Sequence, residues 1–116
     1  MKISTEIGSA SRIVGEEKAV ELIAKAGFDA WDFSMSSMCR IDWNTMSATQ
    51  SDHPLSGPHY LEFARKLKRI GLDHGIVCNQ SHAPFPVYLS GMQPYLKRAI
   101  ECTAEAGARA CTYLSF

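Results

Sequence analysis

The chain has 116 residues, of which 46% are apolar, and its 12 basic and 12 acidic side chains cancel to a formal net charge of zero. This length and composition fit one small globular domain. Zero net charge gives no long-range attraction to a phosphate backbone, which argues against a nucleic-acid partner. The sequence has no apolar run of the ~20 residues that span a membrane, and its first four residues lack a secretion signal. We therefore predict a cytoplasmic protein with no membrane partner.

The cysteines are spaced too irregularly for a metal-binding or disulfide framework. They form no Cys-x-x-Cys pair and stand at Cys39, Cys78, Cys102 and Cys111. Unpaired, buried thiols in a reducing compartment are the favoured interpretation. Cys39 could be grouped with His53 and His59, but their spacing matches no zinc pattern, so a solvated loop is favoured there.

The first half of the chain alternates strand and helix patterns. Ile3 to Ile7 alternates apolar and polar residues and predicts a strand, and a loop is predicted to begin at Gly8. A helix is predicted at about Glu16–Ala26, where apolar residues recur at helical spacing and Gly27 is placed to end the helix. A second strand is predicted from Ala30 to Met35.

The second half continues the alternation after a long connection. Residues 36–57 are rich in Ser, Asn, Asp, Gly and Pro and predict an irregular segment of a length that is often functional. A second helix is predicted to begin near Pro58 and to stop at Gly71. The third predicted strand, Gly75–Gln80, precedes a loop over 81–86, whose two prolines exclude regular pairing.

The last predicted elements are a third helix over Gln93–Ala106 and a fourth strand over Ala110–Leu114. Gly107 is placed to end the helix, so all three predicted helices stop at a glycine that is soon followed by a strand. Strand–helix–strand units joined in this way imply parallel neighbouring strands with right-handed crossovers.

Four strands and three helices in strict alternation predict an α/β fold that is half of a parallel (β/α) TIM barrel. Four strands in 116 residues average 29 residues per strand, and an eight-unit barrel of ~250 residues averages roughly 31. The alternative, a small doubly wound sheet, is disfavoured because the loop at Gly8 carries neither a Gly-x-Gly-x-x-Gly nor a Walker pattern.

Half a barrel leaves the first and fourth strands with unpaired edges. Either the chain is a fragment of a longer protein, or two copies self-associate through the open sheet edges. The fragment is the favoured expectation, because Phe116 stands just where a strand–helix loop should begin.

Three segments carry a resemblance to a known family. They are Ile3-Ser4-Thr5, the run Ala26-Gly27-Phe28-Asp29-Ala30-Trp31-Asp32, and Ser81-His82-Ala83-Pro84-Phe85, of which the His-Ala-Pro-aromatic piece is the most specific. On these residues, 1–116 resembles the N-terminal half of the xylose isomerase-like barrels, the group of sugar phosphate isomerases and epimerases that also contains endonuclease IV. The resemblance covers nearly all of this chain but only about half of a family barrel.

The resemblance implies proton transfer next to a sugar carbonyl. Two carboxylates exchange the proton, and a divalent metal (Mn, Mg, Co or Zn) holds the substrate oxygens and stabilises the enediolate. In the isomerases and epimerases, the metal ligands and both carboxylates lie mostly on strands five to eight. The resemblance therefore implies that this chain supplies a wall that faces a sugar or sugar phosphate, with no catalytic residue and no bound metal of its own.

His82 is the strongest candidate site residue. It follows the third predicted strand and should lie at the C-terminal face, where barrel sites are built. The resemblance implies that His82 faces the substrate, although a histidine that caps loop carbonyls would fit the same position. A single ligand cannot hold a divalent ion, so metal binding by His82 alone is disfavoured.

Glu6 and Asp32 are candidates for substrate binding because each lies near the end of a predicted strand. Either carboxylate could hydrogen-bond a sugar hydroxyl, or pair with a polar group of a neighbouring strand. Asn79 is a weaker version of the same case.

Phe85, with Trp43 and Tyr88, lies in a loop that should overhang the pocket. An aromatic face packs well against the C–H face of a sugar. The alternative is that these rings pin long loops to the barrel.

These features lead to three hypotheses of function. The leading one is a sugar phosphate isomerase or epimerase-like protein, represented by a chain that is inactive alone. The alternatives are a DNA-repair barrel resembling endonuclease IV, which the zero net charge disfavours, and a non-catalytic half-barrel that self-associates.

Overall fold

The computed structural model describes residues 1–112 and contains a parallel sheet, an antiparallel hairpin and a layer of helices. The strands are β1 (Ser4–Glu6), β2 (Ala30–Ser34), β3 (Cys39–Asp42), β4 (Ser47–Gln50), β5 (Val77–His82) and β6 (Cys111–Thr112). The helices are α1 (Gly8–Val14), α2 (Glu16–Lys25), α3 (Tyr60–Asp73) and α4 (Gln93–Ala106).

The four predicted strands correspond to β1, β2, β5 and β6, and they form one sheet in that order. All three pairings are parallel, as the helical crossovers require. The predicted α/β fold with parallel neighbours is therefore confirmed. The end of the predicted fourth strand, residues 113 and 114, lies outside the described part of the chain.

The two faces of the sheet have different chemistry. Successive side chains of a strand point to opposite faces, so Trp31 and Phe33 of β2 share one face. Both are fully buried against the helices, with their ring centroids 5.3 Å apart. The opposite face, here called the inner face, carries Glu6, Asp32 and His82. Burial thus fixes which way β2 faces and leaves polar groups on the inner face.

The strands at the ends of the sheet each have one neighbour. In the described chain, β1 pairs with β2 alone and β6 with β5 alone. Such strands keep unpaired N–H and C=O groups that can bind another strand. Self-association through these edges stays a prediction.

Helix α1 replaces part of a predicted loop, so the described chain has four helices where the sequence analysis predicts three. The helix has seven residues and none of them is buried. Without a buried face it has no apolar periodicity, which is the signal on which helix prediction depends. Its first turn is held instead by the Glu6 carboxylate, which accepts the N–H groups of Gly8 and Ser9.

The prediction that residues 36–57 are irregular is wrong, because they contain the β3–β4 hairpin. The hairpin turn is closed by the Asp42 carboxylate, which accepts N–H groups from Asn44 at 2.9 Å and Thr45 at 3.3 Å. The hairpin is tied to the loop before α4, where the Ala48 N–H donates to the Ser90 carbonyl at 2.8 Å. These contacts fold the long connection against the loop that follows β5.

The prediction that Gly71 ends the second predicted helix is also wrong. Helix α3 continues to Asp73, and the chain turns at Gly75 with φ of +79°. Gly71 lies against the core, where an added Cβ would come within 2.8 Å of Trp31 Nε1 and 3.1 Å of the Ile76 carbonyl oxygen. The other two helix-ending glycines are confirmed, since Gly27 and Gly107 both have positive φ.

All four cysteines are free, as predicted; Cys39, Cys78 and Cys102 are buried, and Cys111 is partly exposed. Burial raises the pKa of both Cys78 and Cys102 to about 12, so their thiols stay protonated. None of the described helices is long and apolar enough to cross a membrane.

Gly71→Ala should destabilise the protein through its contact with Trp31. Overpacking costs roughly 1–3 kcal/mol, and the better helix propensity of alanine returns about 1 kcal/mol. We expect a net loss of about 1 kcal/mol in the free energy of urea unfolding.

The destabilisation by Gly71→Ala should be smaller in a Trp31→Phe background, because this change removes the Nε1 atom. Trp31 Nε1 has no hydrogen-bond partner within residues 1–112, so this change breaks no hydrogen bond there. An equal penalty in both backgrounds would show that Trp31 is not the cause.

Candidate functional site

A groove lies at the carboxyl ends of β1, β2 and β5. Glu6, Ser34 and His82 are the last residues of these strands, and parallel pairing brings them to one edge of the sheet. The groove has a volume of about 350 Å³ and is also lined by residues that follow the strands: Gly8, Arg12, Met35, Ser36, Ala83 and Phe85. Barrel sites are built at this edge.

The buried carboxylate of Asp32 organises one wall of the groove. Asp32 is 5% exposed, and one of its oxygens accepts the Gln80 amide at 2.8 Å. Its other oxygen lies 2.8 Å from Nδ1 of His82. A buried charge is tolerated only when it is paired or hydrogen-bonded, and these two donors from β5 meet that need.

The contact with Asp32 fixes how His82 presents its ring. An ionised carboxylate can only accept, so Nδ1 must carry the proton that it donates. This leaves Nε2 as the ring atom available to a ligand. The His82 side chain is 32% exposed and lines the groove. His82 is the last residue of β5, so the prediction that it lies in a loop is wrong, while its place at the carboxyl edge agrees with the sequence analysis.

The carboxylate of Glu6 is occupied by hydrogen bonds from its own surroundings. It accepts the Ser9 hydroxyl at 2.7 Å, the Ser9 N–H at 3.2 Å, the Ser34 hydroxyl at 3.1 Å and the Gly8 N–H. Partial burial raises the pKa of Glu6, but the hydrogen bonds together outweigh it and hold the pKa below the ordinary value. The Ser34 contact pairs Glu6 with a polar group of the neighbouring strand, and binding of a sugar hydroxyl by Glu6 stays a prediction.

The remaining predicted site residues are divided between the groove and other surfaces. Phe85 lines the groove, and its packing against a sugar stays a prediction. Asn79 does not line it, because its side-chain amide donates to the Ser4 hydroxyl at 2.9 Å, farther from the carboxyl edge. Trp43 and Tyr88 are 60% and 56% exposed and lie outside the groove lining.

His53 and His59 have separate structural partners. His53 is not in a solvated loop, since its side chain is 17% exposed, contacts the Glu16 carboxylate and accepts the Leu55 N–H at 3.1 Å. His59 lies on the surface 3.2 Å from a Glu62 oxygen. Within residues 1–112, no three His, Cys, Asp or Glu side chains are grouped closely enough to hold a metal ion.

The donor set of the groove does not suit the divalent metal that the resemblance implies. The carboxylates of Glu6 and Asp32 are both engaged by N–H or O–H donors, and His82 uses Nδ1 for Asp32. That leaves Nε2 as a single free nitrogen, whereas protein metal sites need several ligands. A metal in this groove would need ligands from outside the described residues.

Arg12 is a groove residue that the sequence analysis missed. It lies four residues after Gly8, so the two share one side of α1, and both line the groove. The guanidinium is exposed and has no hydrogen bond or ion pair within the described chain. Treating residues 8–15 as a loop hid the spacing that would have placed Arg12 at the groove.

Comparisons with known proteins agree with the architecture. Neither a family model nor a curated protein matches the chain. A solved structure of a sugar phosphate isomerase/epimerase from Parabacteroides distasonis superposes with a TM-score of 0.55 at 16% identity. The fold is part of a TIM barrel. The match covers 99% of this chain and 39% of that protein, so the likeness concerns a portion of the barrel and carries the fold alone.

Asp32→Asn should disrupt the wall of the groove. An amide is uncharged and has one acceptor oxygen in place of two. The hydrogen bonds from Gln80 and His82 therefore lose the charge that strengthens them and one of the two groups must reorient, which costs about 1–3 kcal/mol. Adding Gln80→Glu gives a double variant in which the two groups exchange roles. The carboxylate introduced at position 80 can accept a hydrogen bond from the amide introduced at position 32. We expect urea unfolding to show that the double variant regains most of the stability lost by Asp32→Asn.

The single variant Gln80→Glu is the matched control for this pair. It places two carboxylates side by side and should itself be destabilising. If the two single losses simply add in the double variant, the hydrogen bond between the two strands is not what stabilises the wall.

Glu6→Gln should remove a pH-dependent part of the stability. The pKa of Glu6 is lowered on folding, so its contribution is complete above the ordinary value of 4.5 and is lost as the pH falls through the folded-state pKa. The difference in unfolding free energy between the native chain and Glu6→Gln should be largest at neutral pH and shrink below 4.5. Urea unfolding of both chains over a pH series that runs from neutral to well below 4.5 measures this difference.

Asp73→Asn is the control for this comparison, because Asp73 is an exposed carboxylate on α3 with no side-chain partner in the described chain. Its stability difference should change much less over the same pH range. A flat profile for Glu6→Gln would contradict the role given to the hydrogen bonds of Glu6.

Proposed function

We propose that this chain forms the substrate-facing wall of a sugar phosphate isomerase or epimerase-like protein. The observation that carries the proposal is the oriented ring of His82, held by the buried Asp32 at the carboxyl edge of a parallel sheet. Barrel enzymes bind their substrates at this edge. The likeness to a sugar phosphate isomerase/epimerase supports the same function but covers only part of that protein.

The chemistry of the groove suits a small polyhydroxylated ligand. Nε2 of His82 can accept a hydrogen bond from a sugar hydroxyl, or donate one to a carbonyl oxygen when the ring is protonated. Phe85 adds an aromatic surface beside it. A volume of about 350 Å³ is at the lower end of the ~300–1,000 Å³ of ligand pockets and fits a monosaccharide better than a larger molecule.

We propose binding without turnover for this chain. By the resemblance, the carboxylates that move the proton and the metal ligands belong to later strands of a complete barrel. The Glu6 carboxylate accepts four hydrogen bonds from the chain, and the buried Asp32 carboxylate accepts from Gln80 and His82. Their part in the site is to hold α1 and the ring of His82.

The DNA-repair alternative remains the less favoured one. A protein that binds DNA gains much of its affinity from basic side chains that neutralise the phosphates. Here 12 basic side chains are balanced by 12 acidic ones, and Arg12 is the basic side chain that lines the groove.

Titration of the isotope-labelled chain with ketoses and ketose phosphates tests the proposal. We expect amide NMR shifts to change around Ser34, Ser36 and His82. His82→Ala should weaken binding by roughly tenfold, because it removes a hydrogen bond to the ligand. His59→Ala is the matched control, since His59 lies on the surface outside the groove, and it should leave the affinity unchanged.

Two results would overturn the proposal. One is the absence of any shift change in the groove with every sugar, in a sample whose spectrum shows the folded sheet. The other is sugar isomerisation by this chain with added Mn²⁺ or Mg²⁺, which would show that the chain itself contains the catalytic groups.

A further inference from the structure

A second cavity lies where the start of α2 meets the connection between β4 and α3. It has a volume of about 580 Å³, within the ~300–1,000 Å³ of small-molecule pockets. It shares no lining residue with the groove at the carboxyl edge. Val14, Pro54 and Phe63 form its apolar wall, and Glu16 and His53 line it together. This cavity therefore combines an apolar surface with a carboxylate–imidazole pair.

The hydrogen bonds of His53 determine where its ring carries a proton. Nδ1 accepts the Leu55 N–H at 3.1 Å, so this nitrogen is unprotonated. The proton of the ring is then on Nε2, which contacts the Glu16 carboxylate and donates to it. The ring is therefore neutral, and it gives Glu16 one hydrogen bond but no positive charge.

The Glu16 carboxylate is nine-tenths buried but only half used. Its side chain is 10% exposed, and His53 is the partner of one of its two oxygens. The other oxygen has no hydrogen bond within residues 1–112. In this part of the chain, Trp31 Nε1 is the one fully buried polar side-chain atom without a partner. The second oxygen of Glu16 is therefore not sealed in the core, and it faces the cavity that Glu16 lines.

The charged groups of the lining favour a cation. Two carboxylates, Glu16 and Glu17, and one ammonium group, Lys18, give the lining a net charge of −1 when His53 is neutral. Glu17 and Lys18 are half-exposed, and each is paired with an oppositely charged side chain outside the lining. Water screens exposed charges more than buried ones, so Glu16 is the charge that a ligand in the cavity meets most strongly.

We propose that the second cavity binds a small primary ammonium ion, with the charged group on Glu16 and the alkyl chain against Phe63. An ammonium group has three N–H donors. The free oxygen of Glu16 and the hydroxyl oxygens of Ser11 and Ser37, which also line the cavity, offer three acceptors. The Ser11 hydroxyl donates to the Gly8 carbonyl at 3.1 Å, which leaves its lone pairs available.

Other ligand classes fit this cavity less well. An anion would be repelled by Glu16, and a neutral alcohol would leave its charge without a counter-ion. A quaternary ammonium ion carries the charge but has no N–H donor for the three acceptors. The inference goes beyond the proposed function, because the cavity and the groove have separate linings and their ligands can be titrated independently.

Four probes test the inference by isothermal titration and amide NMR: n-butylammonium, butanol, butyrate and tetramethylammonium. The native chain should bind n-butylammonium roughly tenfold more tightly than butanol, because a hydrogen bond to a charged group is the stronger one. Tetramethylammonium should bind no more tightly than butanol, and butyrate should not bind. We expect the amide shifts of Gly15, Ser37 and His53 to change with n-butylammonium.

Glu16→Gln should abolish the preference for n-butylammonium over butanol. The amide oxygen of the new side chain can still accept from Nε2 of His53, so the contact between α2 and the β4–α3 connection is kept. Glu62→Gln is the matched control, since it removes the same charge from an exposed position on α3 outside the cavity lining. This control should keep the full preference.

Ser37→Ala tests the site without disturbing a buried contact, because Ser37 is exposed. It removes one of the three acceptors and should weaken n-butylammonium binding by roughly threefold. If Glu16→Gln loses the folded NMR spectrum, this variant decides the question, and an unchanged affinity for n-butylammonium then counts against the site.

Three other results would overturn the inference. One is equal affinity of the native chain for n-butylammonium and butanol, and another is a preference that survives Glu16→Gln. The third is tetramethylammonium binding as tightly as n-butylammonium, which would show that N–H donors do not select the ligand. Loss of sugar binding at the groove would leave the ammonium site standing.

A further probe distinguishes two sources of the same chemical group. Nα-acetyl-lysine amide carries the ammonium group as a lysine side chain does. Binding at least as tight as that of n-butylammonium would assign the site to a lysine of another protein. Weaker binding would assign it to a free amine, and both results support an ammonium site.

Discussion

The buried carboxylate of Asp32 is the constraint on which the groove depends. It lies on the inner face of the sheet, where a charge with no partner would be costly. Gln80 and His82 supply that partner from the neighbouring strand, two residues apart and therefore on the same face. The same hydrogen bonds link β2 to β5 and turn the His82 ring so that Nε2 is free. Stability of the sheet and orientation of the candidate ligand group thus come from one contact.

The helix-facing side of the same strands explains why this polar arrangement keeps its register. Trp31 and Phe33 are fully buried between the sheet and the helices, and burial of such side chains contributes roughly 1.5–3 kcal/mol each. A shift of β2 by one residue would bring these rings to the inner face and Asp32 into the apolar layer. The close approach of Gly71 to Trp31 leaves no room for a larger residue between α3 and this ring. The apolar core therefore holds the polar groove in place.

The sequence predicts the elements whose formation depends on apolar periodicity. The predicted bounds of the third helix, Gln93–Ala106, agree with α4, and β2 differs from its prediction by one residue. Apolar periodicity does not predict helix α1, because this helix buries no residue and is held by the side chain of Glu6. The prediction that Gly71 ends a helix fails for a related reason. The sequence shows a glycine near a helix end, but only the packed structure shows that Trp31 leaves no room for a Cβ at this position.

For the candidate site, the sequence predicts the positions of residues along the strands but not their hydrogen bonds to other elements. Parallel alternation alone places Glu6, Asp32 and His82 near one edge, because each comes at or near the end of a strand. It does not show how the donors are shared. The structure shows that Glu6 holds the start of α1 and accepts from Ser34, so its carboxylate oxygens are already used as acceptors within the fold. The groove is then lined by two opposite charges in different states: the carboxylate of Glu6, which accepts hydrogen bonds from the chain, and the guanidinium of Arg12, which has no partner within residues 1–112. Which groups of the groove can bind a ligand therefore depends on contacts between elements and not only on the position of a residue along its strand.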